Sequence, residues 1–264
     1  MNTTGVQGGS QIERVAAGSS VPATHSGVPL VRTVRSVGSV GVLVLVDFRR
    51  DARLWAWTRL ALRDWPLRRE PGLRFAKVMG SGQDGGFGLR PSATRQGLFL
   101  SFDDEAAAQS FIDHSALLRA YRGHAEEALV AVMRVGSCRG SWSGTTLEVG
   151  TTLPPDMPLV SLTRASIRAR HAAEFWRMAP PAEQALESVA GCRLAVGLGE
   201  APILRQCTVS LWDDKAAMDA YARHGAHQQA IRAAYGGHYF SESMFARFLP
   251  LRIDGVWKGQ RYGY

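Results

Sequence analysis

Three absences limit what kind of protein this 264-residue sequence can be: it has few cysteines, few lysines and no long apolar run. Its cysteines, Cys138, Cys192 and Cys207, are widely spaced and form no CxxC or CxxCH motif. That spacing excludes a disulfide framework, a structural zinc site and covalently attached c-type haem. The longest apolar run, VGVLVLV (40–46), is too short to span a bilayer. We therefore expect a cytoplasmic protein whose contact with the inner membrane is at most peripheral.

The net charge of +8 comes from arginine, since only Lys77, Lys215 and Lys258 are lysines. The arginines are spread along the chain, with no dense basic block and no aromatic-plus-basic RNA-binding motif. We predict no nucleic-acid partner and interpret the charge as a basic surface, suited to an acidic protein or an anionic membrane face. Residues 1–37 lack the apolar core of a signal peptide and are predicted to be a disordered leader.

No catalytic or nucleotide-binding signature is present: the sequence has no G-x-S-x-G, no P-loop and no Rossmann fingerprint. GSGQDGGFG (80–88) is dense in glycine, but no Lys-Ser/Thr pair follows it and it continues as a loop, which disfavours phosphate binding. We predict a mobile loop at the mouth of a cavity, with Gly80 and Gly82 among the cavity residues.

The chain contains an internal repeat. SFDDEAAAQSFIDH (101–114) and SLWDDKAAMDAYARH (210–224) share an apolar strand end, an Asp-Asp pair and a helix that ends at His. Phe102 matches Trp212, and His114 matches His224, at a lag of 110 residues. GSWSG (140–144) and GVWKG (255–259) follow in the same order. The conserved order of the matches indicates duplication.

Each repeat predicts strand, helix, strand, strand, helix, strand. Short β-branched or aromatic runs bounded by Gly, Pro or Asp predict eight strands: Val42–Phe48, Leu73–Met79, Gly97–Phe102, Leu129–Val135, Leu159–Ala165, Arg193–Leu198, Gln206–Trp212 and Met244–Leu251. Helices with a period of 3.6 lie between them, and we predict Asp103 and Asp213 as helix N-caps.

This element order is that of the ferredoxin-like βαββαβ unit. One such sheet has helices on one face only, so two sheets in one chain can cover each other. We predict an α+β fold of two tandem ferredoxin-like repeats, residues 38–143 and 159–260, joined by a linker at 144–158 in a dimeric α/β-barrel-type fold. The architecture predicts a cavity, between the sheets or under the helices, that suits an apolar ligand.

Histidines cluster in YARHGAHQQAIRAAYGGHYF (221–240). His224 and His238 have counterparts in the first repeat, and helix capping explains His224 and its counterpart. His227 has no counterpart, and it heads the apolar stripe of the last predicted helix. It is either a buried capping histidine or a ligand of a metal or haem, because a position near a helix N-terminus favours the neutral imidazole that a metal requires. We predict that His171 is exposed and that Cys138 is a weaker ligand candidate than His227.

Several segments resemble the spheroidene monooxygenase family, the carotenoid ketolases of purple bacteria. They are KVMGSGQDGGFGLRPS (77–92), LTRASI (162–167), FW (175–176), GLGEAPILRQCTVSLW (197–212), GAHQQAIR (225–232) and FSESMFARF (240–248). The resemblance covers about residues 40–259. It implies a haem protein that oxidises C-2 of an acyclic carotenoid to a ketone by two hydroxylations, with electrons from a ferredoxin.

The resemblance also implies a fold similar to that of chlorite dismutase and aldoxime dehydratase, in which a histidine of the C-terminal half binds haem iron. His227 matches that role by its half of the molecule. We predict haem b as cofactor, Arg164 and Arg247 in distal or propionate-binding roles, and a substrate cavity lined by Trp212, Phe240 and Phe248. A strand arginine is costly to bury unless it meets an anion; otherwise both are surface arginines and the aromatics are plain core.

Two alternatives stay open from the sequence. One is a cofactor-free α/β-barrel monooxygenase or isomerase that acts on a quinone-like substrate. The other is a protein that carries haem or a lipophile without catalysis. The oligomeric state is also open, because the tandem repeat can complete the barrel alone or pair again.

Overall fold

Eight antiparallel strands close into a barrel in this computed structural model, which describes residues 38–86, 90–177, 186, 189–201, 203–223 and 238–264. All of these residues belong to one compact unit. The predicted leader, residues 1–37, lies outside the described residues. The prediction of an α+β barrel fold is confirmed.

All eight predicted strands are present. Each contains the whole predicted range and is longer than predicted. The observed strands are β1 Val40–Phe48, β2 Leu73–Gly82, β3 Pro91–Phe102, β4 Ala125–Gly140, β5 Leu159–Ile167, β6 Cys192–Ala201, β7 Arg205–Trp212 and β8 Phe240–Trp257. A ninth strand, β9 (Gln260–Gly263), was not predicted and pairs with the end of β8.

The strand order is β4-β1-β3-β2-β6-β7-β5-β8, and a pairing between β4 and β8 closes the barrel. The β4–β8 ladder is long, running from Leu129 opposite Gly255 to Gly140 opposite Met244. The β2–β6 junction has only two residue pairs, of which one is Gly80 opposite Gly199. The two four-strand halves are therefore joined by one long seam and one short seam.

The helices lie on the outside of the barrel. They are α1 (Arg53–Leu62), α2 (Glu105–His114), α3 (Ala116–His124) and α4 (Lys215–Arg223), and residues 172–177 are also helical. Leu118 and Tyr121 of α3 pack on the helix-facing side of β1 and β3, in a cluster that contains Val42 and Val44. The helices therefore bury the apolar outer face of the first half.

The predicted helix N-caps are wrong by one residue. The side chain of Asp104, not Asp103, accepts a hydrogen bond from the Ala107 backbone N–H at 2.9 Å. The second half repeats this arrangement, with Asp214 as the acceptor. The first aspartate of each pair instead forms an ion pair with an arginine at the start of the preceding β-hairpin, Arg74 in the first half.

Replacing Asp104 by alanine should lower the free energy of unfolding by about 1 kcal/mol, because it removes a cap from α2. Asp103→Ala should cost only roughly a few tenths of a kcal/mol, since its ion pair with Arg74 is exposed to solvent. Urea unfolding of the two variants beside the wild type measures the difference. Equal losses for the two variants would contradict this assignment of the cap.

Buried side chains form three clusters. The largest fills the barrel interior, with Leu43, Phe99 and Phe248 among its members. The second lies between the first four strands and helices α1 to α3. The third lies on the helix side of the second half and is small, consisting of Leu159, Leu186, Trp212 and Met218 with partly buried neighbours.

Candidate functional site

The barrel interior, where the described residues line it, is packed with side chains. Phe99 and Phe248 lie there with ring centroids 5.9 Å apart, and both are fully buried. A cavity between Leu43, Val160 and Ile253 measures about 10 Å³, which is about the space of one water molecule. Eight strands give an interior just wide enough for side chains. Of the two predicted cavity positions, the structure therefore does not support the one between the sheets.

A larger recess of about 210 Å³ opens at one end of the barrel. Leu186, Cys192, Trp257 and Tyr262 are among the residues that line it. The Tyr262 hydroxyl donates to the Arg193 carbonyl at 3.0 Å across this recess. Among the predicted site residues that the structure describes, none lines it.

The helix-facing sides of the two halves differ sharply. We call them the first outer face (strands β1–β4) and the second outer face (strands β5–β8). In each half the first strand pairs with the third, so Val42 opposite Leu100 corresponds to Ser161 opposite Ser210. Likewise Val44 opposite Leu98 corresponds to Thr163 opposite Thr208, and Val78 beside Leu98 corresponds to Gly197 beside Thr208.

The two outer faces therefore differ in the size of their side chains. The valines and leucines of the first outer face belong to the buried cluster beneath α2 and α3. At the equivalent positions the second outer face has serine, threonine and glycine, which are shorter and polar. Packed interiors leave few voids where side chains are large. At these five positions the second outer face therefore has a floor of smaller and mostly polar side chains, where the first outer face has large apolar ones.

Aromatic side chains stand at opposite ends of this floor. Trp212 is fully buried, and its indole N–H donates to the Ser210 hydroxyl at 2.8 Å. Phe240 packs edge-on against Phe175, with ring centroids 6.1 Å apart. Two of the three predicted cavity aromatics, Trp212 and Phe240, are thus placed on the helix side of the second half. The third, Phe248, points into the barrel interior instead.

Arg247 lies on the second outer face, opposite Ser161 on the neighbouring strand. Its side chain is 38% exposed, and its guanidinium lies 3.7 Å from Asp219 of α4. Burial would raise the pKa of the Asp219 carboxyl, but Lys215, Arg247 and Arg223 lower it below its ordinary value. Arg247 therefore lies between strand β8 and helix α4 on the second outer face.

Arg164 is on the opposite side of the sheet from Arg247 and is only 2% exposed. Its guanidinium donates to Glu242 at 2.5 Å and to Glu200 at 3.2 Å. Glu200 also accepts from the Trp142 indole N–H at 2.7 Å and lies 3.3 Å from the Lys77 ammonium. Two cations therefore face two carboxylates, and the cluster is neutral. Arg164 and Arg247 do not share a site.

Glu242 is ionised in this cluster. Burial would raise the pKa of its carboxyl, but hydrogen bonds from the Gly144 and Ser143 backbone, the Ser141 hydroxyl and Arg164 lower it to about 2. The side chain connects β8 to the turn that follows β4. We assign the Arg164 cluster a structural function: it holds the turn that carries Trp142 across one end of the barrel.

The remaining predicted positions are placed as follows. Gly80 and Gly82 lie in strand β2 rather than in a loop, and a methyl group on Gly80 would meet Leu60 of α1 at 3.8 Å. They belong to the first half, and Gly80 lies at its border with the second, opposite Gly199 of β6. His171 is half-buried and stacks on Tyr239 at 4.7 Å, so the prediction that it is exposed is wrong.

The principal ligand candidate, His227, lies outside the described residues, as does His224. Within the described ranges no three His, Cys, Asp or Glu side chains are grouped so as to hold a metal ion. Cys138 is half-buried on β4. Cys207 is enclosed in the barrel interior, and burial raises the pKa of its thiol. In the same part of the chain, every helix is too short or too polar to span a bilayer.

The sequence contained an unused signal for this site. The repeat pairs the apolar run VGVLVLV with PLVSLTRAS, and the change from Val to Ser and Thr is visible in that pairing. Glu200 and Glu242 were missed for a different reason. No local pattern connects them to Arg164, because the three residues meet only when the strands are in register.

Comparison with known proteins gives relatives over most of the chain. A spheroidene monooxygenase of Rubrivivax gelatinosus is 58% identical over 226 residues, covering 86% of this chain and 88% of that protein. A spheroidene monooxygenase of Rhodobacter capsulatus is 35% identical over 214 residues, covering 78% and 87%. No protein-family profile matches the chain.

Solved structures show a similar fold. A crystal structure of aldoxime dehydratase superposes with a TM-score of 0.54 and 10% identity, covering 81% of this chain and 82% of the other. A second, in complex with butyraldoxime, has a TM-score of 0.53. At this identity the likeness concerns the fold alone.

Proposed function

The chain belongs to the spheroidene monooxygenase family, and from this we propose that it oxidises an acyclic carotenoid of the spheroidene type at C-2. The observation that carries the proposal is the 58% identity over 86% of the chain to a protein of that name. The expected product is a ketone, and the expected reductant is a reduced ferredoxin.

The overall change is two hydroxylations at one carbon. Each hydroxylation consumes one O2, two electrons and two protons, inserts one oxygen atom into a C–H bond and releases the other as water. The second gives a geminal diol, which loses water to form the ketone. The protein must therefore hold one carbon of a long apolar chain in place through two turnovers, away from bulk water.

We place the reaction at the second outer face. Its floor of Ser161, Thr163, Thr208 and Ser210 leaves room that the first half fills with valine and leucine. Trp212 and Phe240 at the two ends supply apolar walls for a polyene. Packed side chains leave no comparable room in the described part of the barrel interior.

We further propose that haem b would bind over this floor and that His227 would be the residue that binds its iron. Haem, when bound, supplies the activation of O2. The segment between α4 and β8 contains His227 and corresponds in the repeat to α3, which covers the first outer face. Arg247, half-exposed on the same face, is suited to hold a carboxylate such as a haem propionate. Arg164 is left out of the site because its charge is already balanced inside the barrel.

The proposal also concerns how the chain is divided into repeated units. We infer that residues 38–143 and 159–260 are two ferredoxin-like units joined by residues 144–158. Supporting this, the strand orders β4-β1-β3-β2 and β8-β5-β7-β6 are equivalent, with every pairing antiparallel. His227, one of two histidines in the second unit without a counterpart in the first, would then lie on the unit whose outer face has the smaller side chains.

Expression of the gene in a host that accumulates spheroidene tests the proposal. Wild-type protein should convert spheroidene to a keto product, which absorbance and mass spectra of the extracted pigments identify. The double variant Ser161→Val/Thr163→Val, which restores the residues of the first half, should lower the yield roughly tenfold or more, because it fills the floor. Thr151→Val/Thr152→Val likewise replaces two hydroxyl side chains by valine, but in the linker, and should leave the yield unchanged. Unchanged pigments with the wild type, under verified expression, would refute carotenoid oxidation.

A further inference from the structure

Helix α1 and the turn that follows it carry an exposed apolar surface. Four large hydrophobic side chains protrude there: Leu54 is 82% exposed, Trp57 59%, Leu62 37% and Trp65 66%. Elsewhere in the described chain the exposed large hydrophobics are scattered through the linker, the β6–β7 hairpin and the C-terminus. Single exposed hydrophobics are ordinary, whereas four within twelve residues of the chain indicate an interaction site.

This surface is not needed for packing of the helix. Other residues of α1, namely Ala56, Trp55 and Leu60, already pack against the core beneath the helix. The helix therefore exposes large apolar side chains in addition to those that it buries, although a surface helix normally needs only the buried stripe. Trp57 donates its indole N–H to the Ala93 carbonyl at 3.2 Å, so the protein satisfies its polar atom while the ring stays in solvent.

The charge around these side chains is positive. Residues 49–70 contain seven arginines and three acidic residues. Arg53, Arg63 and Arg69 are exposed, and all three lie close in sequence to the hydrophobic group. Among the acids, Asp64 lies 3.7 Å from Arg68, and Glu70 accepts a hydrogen bond from Ser115. An excess of cation surrounds the apolar side chains.

We propose that this α1 surface (Leu54, Trp57, Leu62 and Trp65 with Arg53, Arg63 and Arg69) docks the protein on an anionic lipid bilayer. Tryptophan and leucine on one side of a helix enter the boundary between headgroups and acyl chains, and tryptophan is enriched at that depth in membrane proteins. Arginines at its edge attract anionic headgroups. The combination fits a lipid surface better than a second copy of this chain, since two such surfaces would bring like charges together.

The proposal is independent of the haem and of the reaction. It gives the first half of the barrel a role in membrane binding, whereas the proposed reaction site lies on the second half. A bilayer contact at α1 would bring a protein of this family to the phase in which a long apolar polyene dissolves.

Flotation of the full chain with vesicles tests the proposal. Wild-type protein should float with vesicles that contain phosphatidylglycerol and much less with phosphatidylcholine alone, and added salt should weaken the binding. Leu54→Ser/Trp65→Ser should reduce the bound fraction at least tenfold while leaving the hydrogen bond of Trp57 intact. Arg63→Glu/Arg69→Glu should reduce it similarly.

Two matched controls distinguish binding through this surface from nonspecific hydrophobic or electrostatic binding. Val149→Ser/Met157→Ser removes exposed hydrophobics from the linker, and Arg119→Glu/Arg252→Glu makes the same change in net charge elsewhere; both should bind as the wild type does. Circular dichroism verifies that each variant is folded. Equal binding by the α1 variants and the wild type would overturn the proposal. So would a wild-type dimer that binds no vesicle and dissociates in Leu54→Ser/Trp65→Ser, because the surface would then be a protein interface.

Discussion

Replacing His227 by alanine should abolish the Soret band of haemin-reconstituted protein, together with the keto product in the spheroidene-accumulating host. Mutating a residue that only orients a metal ligand costs about 10 to 100-fold in affinity or activity, and loss of the ligand itself should cost more. We expect haem titration to show an affinity loss of more than about 100-fold. Added imidazole should restore part of the Soret band, because it supplies the missing ligand without the side chain.

Two neighbouring histidines provide the controls. His224→Ala and His238→Ala change the same region and should leave the Soret band and its shift on reduction unaltered. An unchanged band in His227→Ala would show that another residue binds the iron. Wild-type protein that takes up no haem and still forms the ketone would favour the cofactor-free alternative. Haem uptake without any oxidation of carotenoid would favour a carrier.

Replacing Arg164 by alanine should destabilise the protein by about 3 kcal/mol, because two half-buried carboxylates lose the buried guanidinium that they share. Arg247→Ala is the matched control: its guanidinium lies 3.7 Å from Asp219, which keeps Lys215 and Arg223 as partners, so the cost should lie between 0 and about 1 kcal/mol. Urea unfolding at pH 7 measures both. A loss below about 1 kcal/mol for Arg164→Ala would contradict the structural function that we assign to the cluster.

The same cluster has a pH signature. The pKa of Glu242 is lowered from 4.5 to about 2 in the folded protein, so its contribution is fully present above about pH 4.5 and is lost as the pH falls toward 2. Without Arg164 one cause of the lowered pKa disappears. Unfolding curves collected between pH 5 and pH 3 should then show the variant losing stability at a higher pH than the wild type does.

The strands were predictable because each is a short β-branched run with a turn residue at its ends, and such runs depend on local sequence. The caps were misplaced for a reason that is not local. Either residue of an Asp-Asp pair can cap a helix. Arg74 of strand β2 forms an ion pair with Asp103, which leaves Asp104 as the cap.

The site was only partly predictable, because the side of the sheet to which a side chain points depends on the pairing register of its strand. Trp212 and Phe248 both follow the strand pattern, yet one points to the helices and the other into the barrel. A shift of one residue exchanges the two faces of a strand, so aromatic content alone could not separate them. Arg164 meets Glu200 and Glu242 across separations of 36 and 78 residues, which no spacing rule covers.

The unequal seams of the barrel determine how it can deform. Along β4 and β8 the halves share a ladder from Leu129 to Gly140, whereas β2 and β6 share two residue pairs at Gly80 and Ser81. Local stability follows the density of such bonds. The β2–β6 seam is therefore the weaker of the two. Thermal fluctuations should separate β2 from β6 first, while the long β4–β8 ladder keeps the two halves attached.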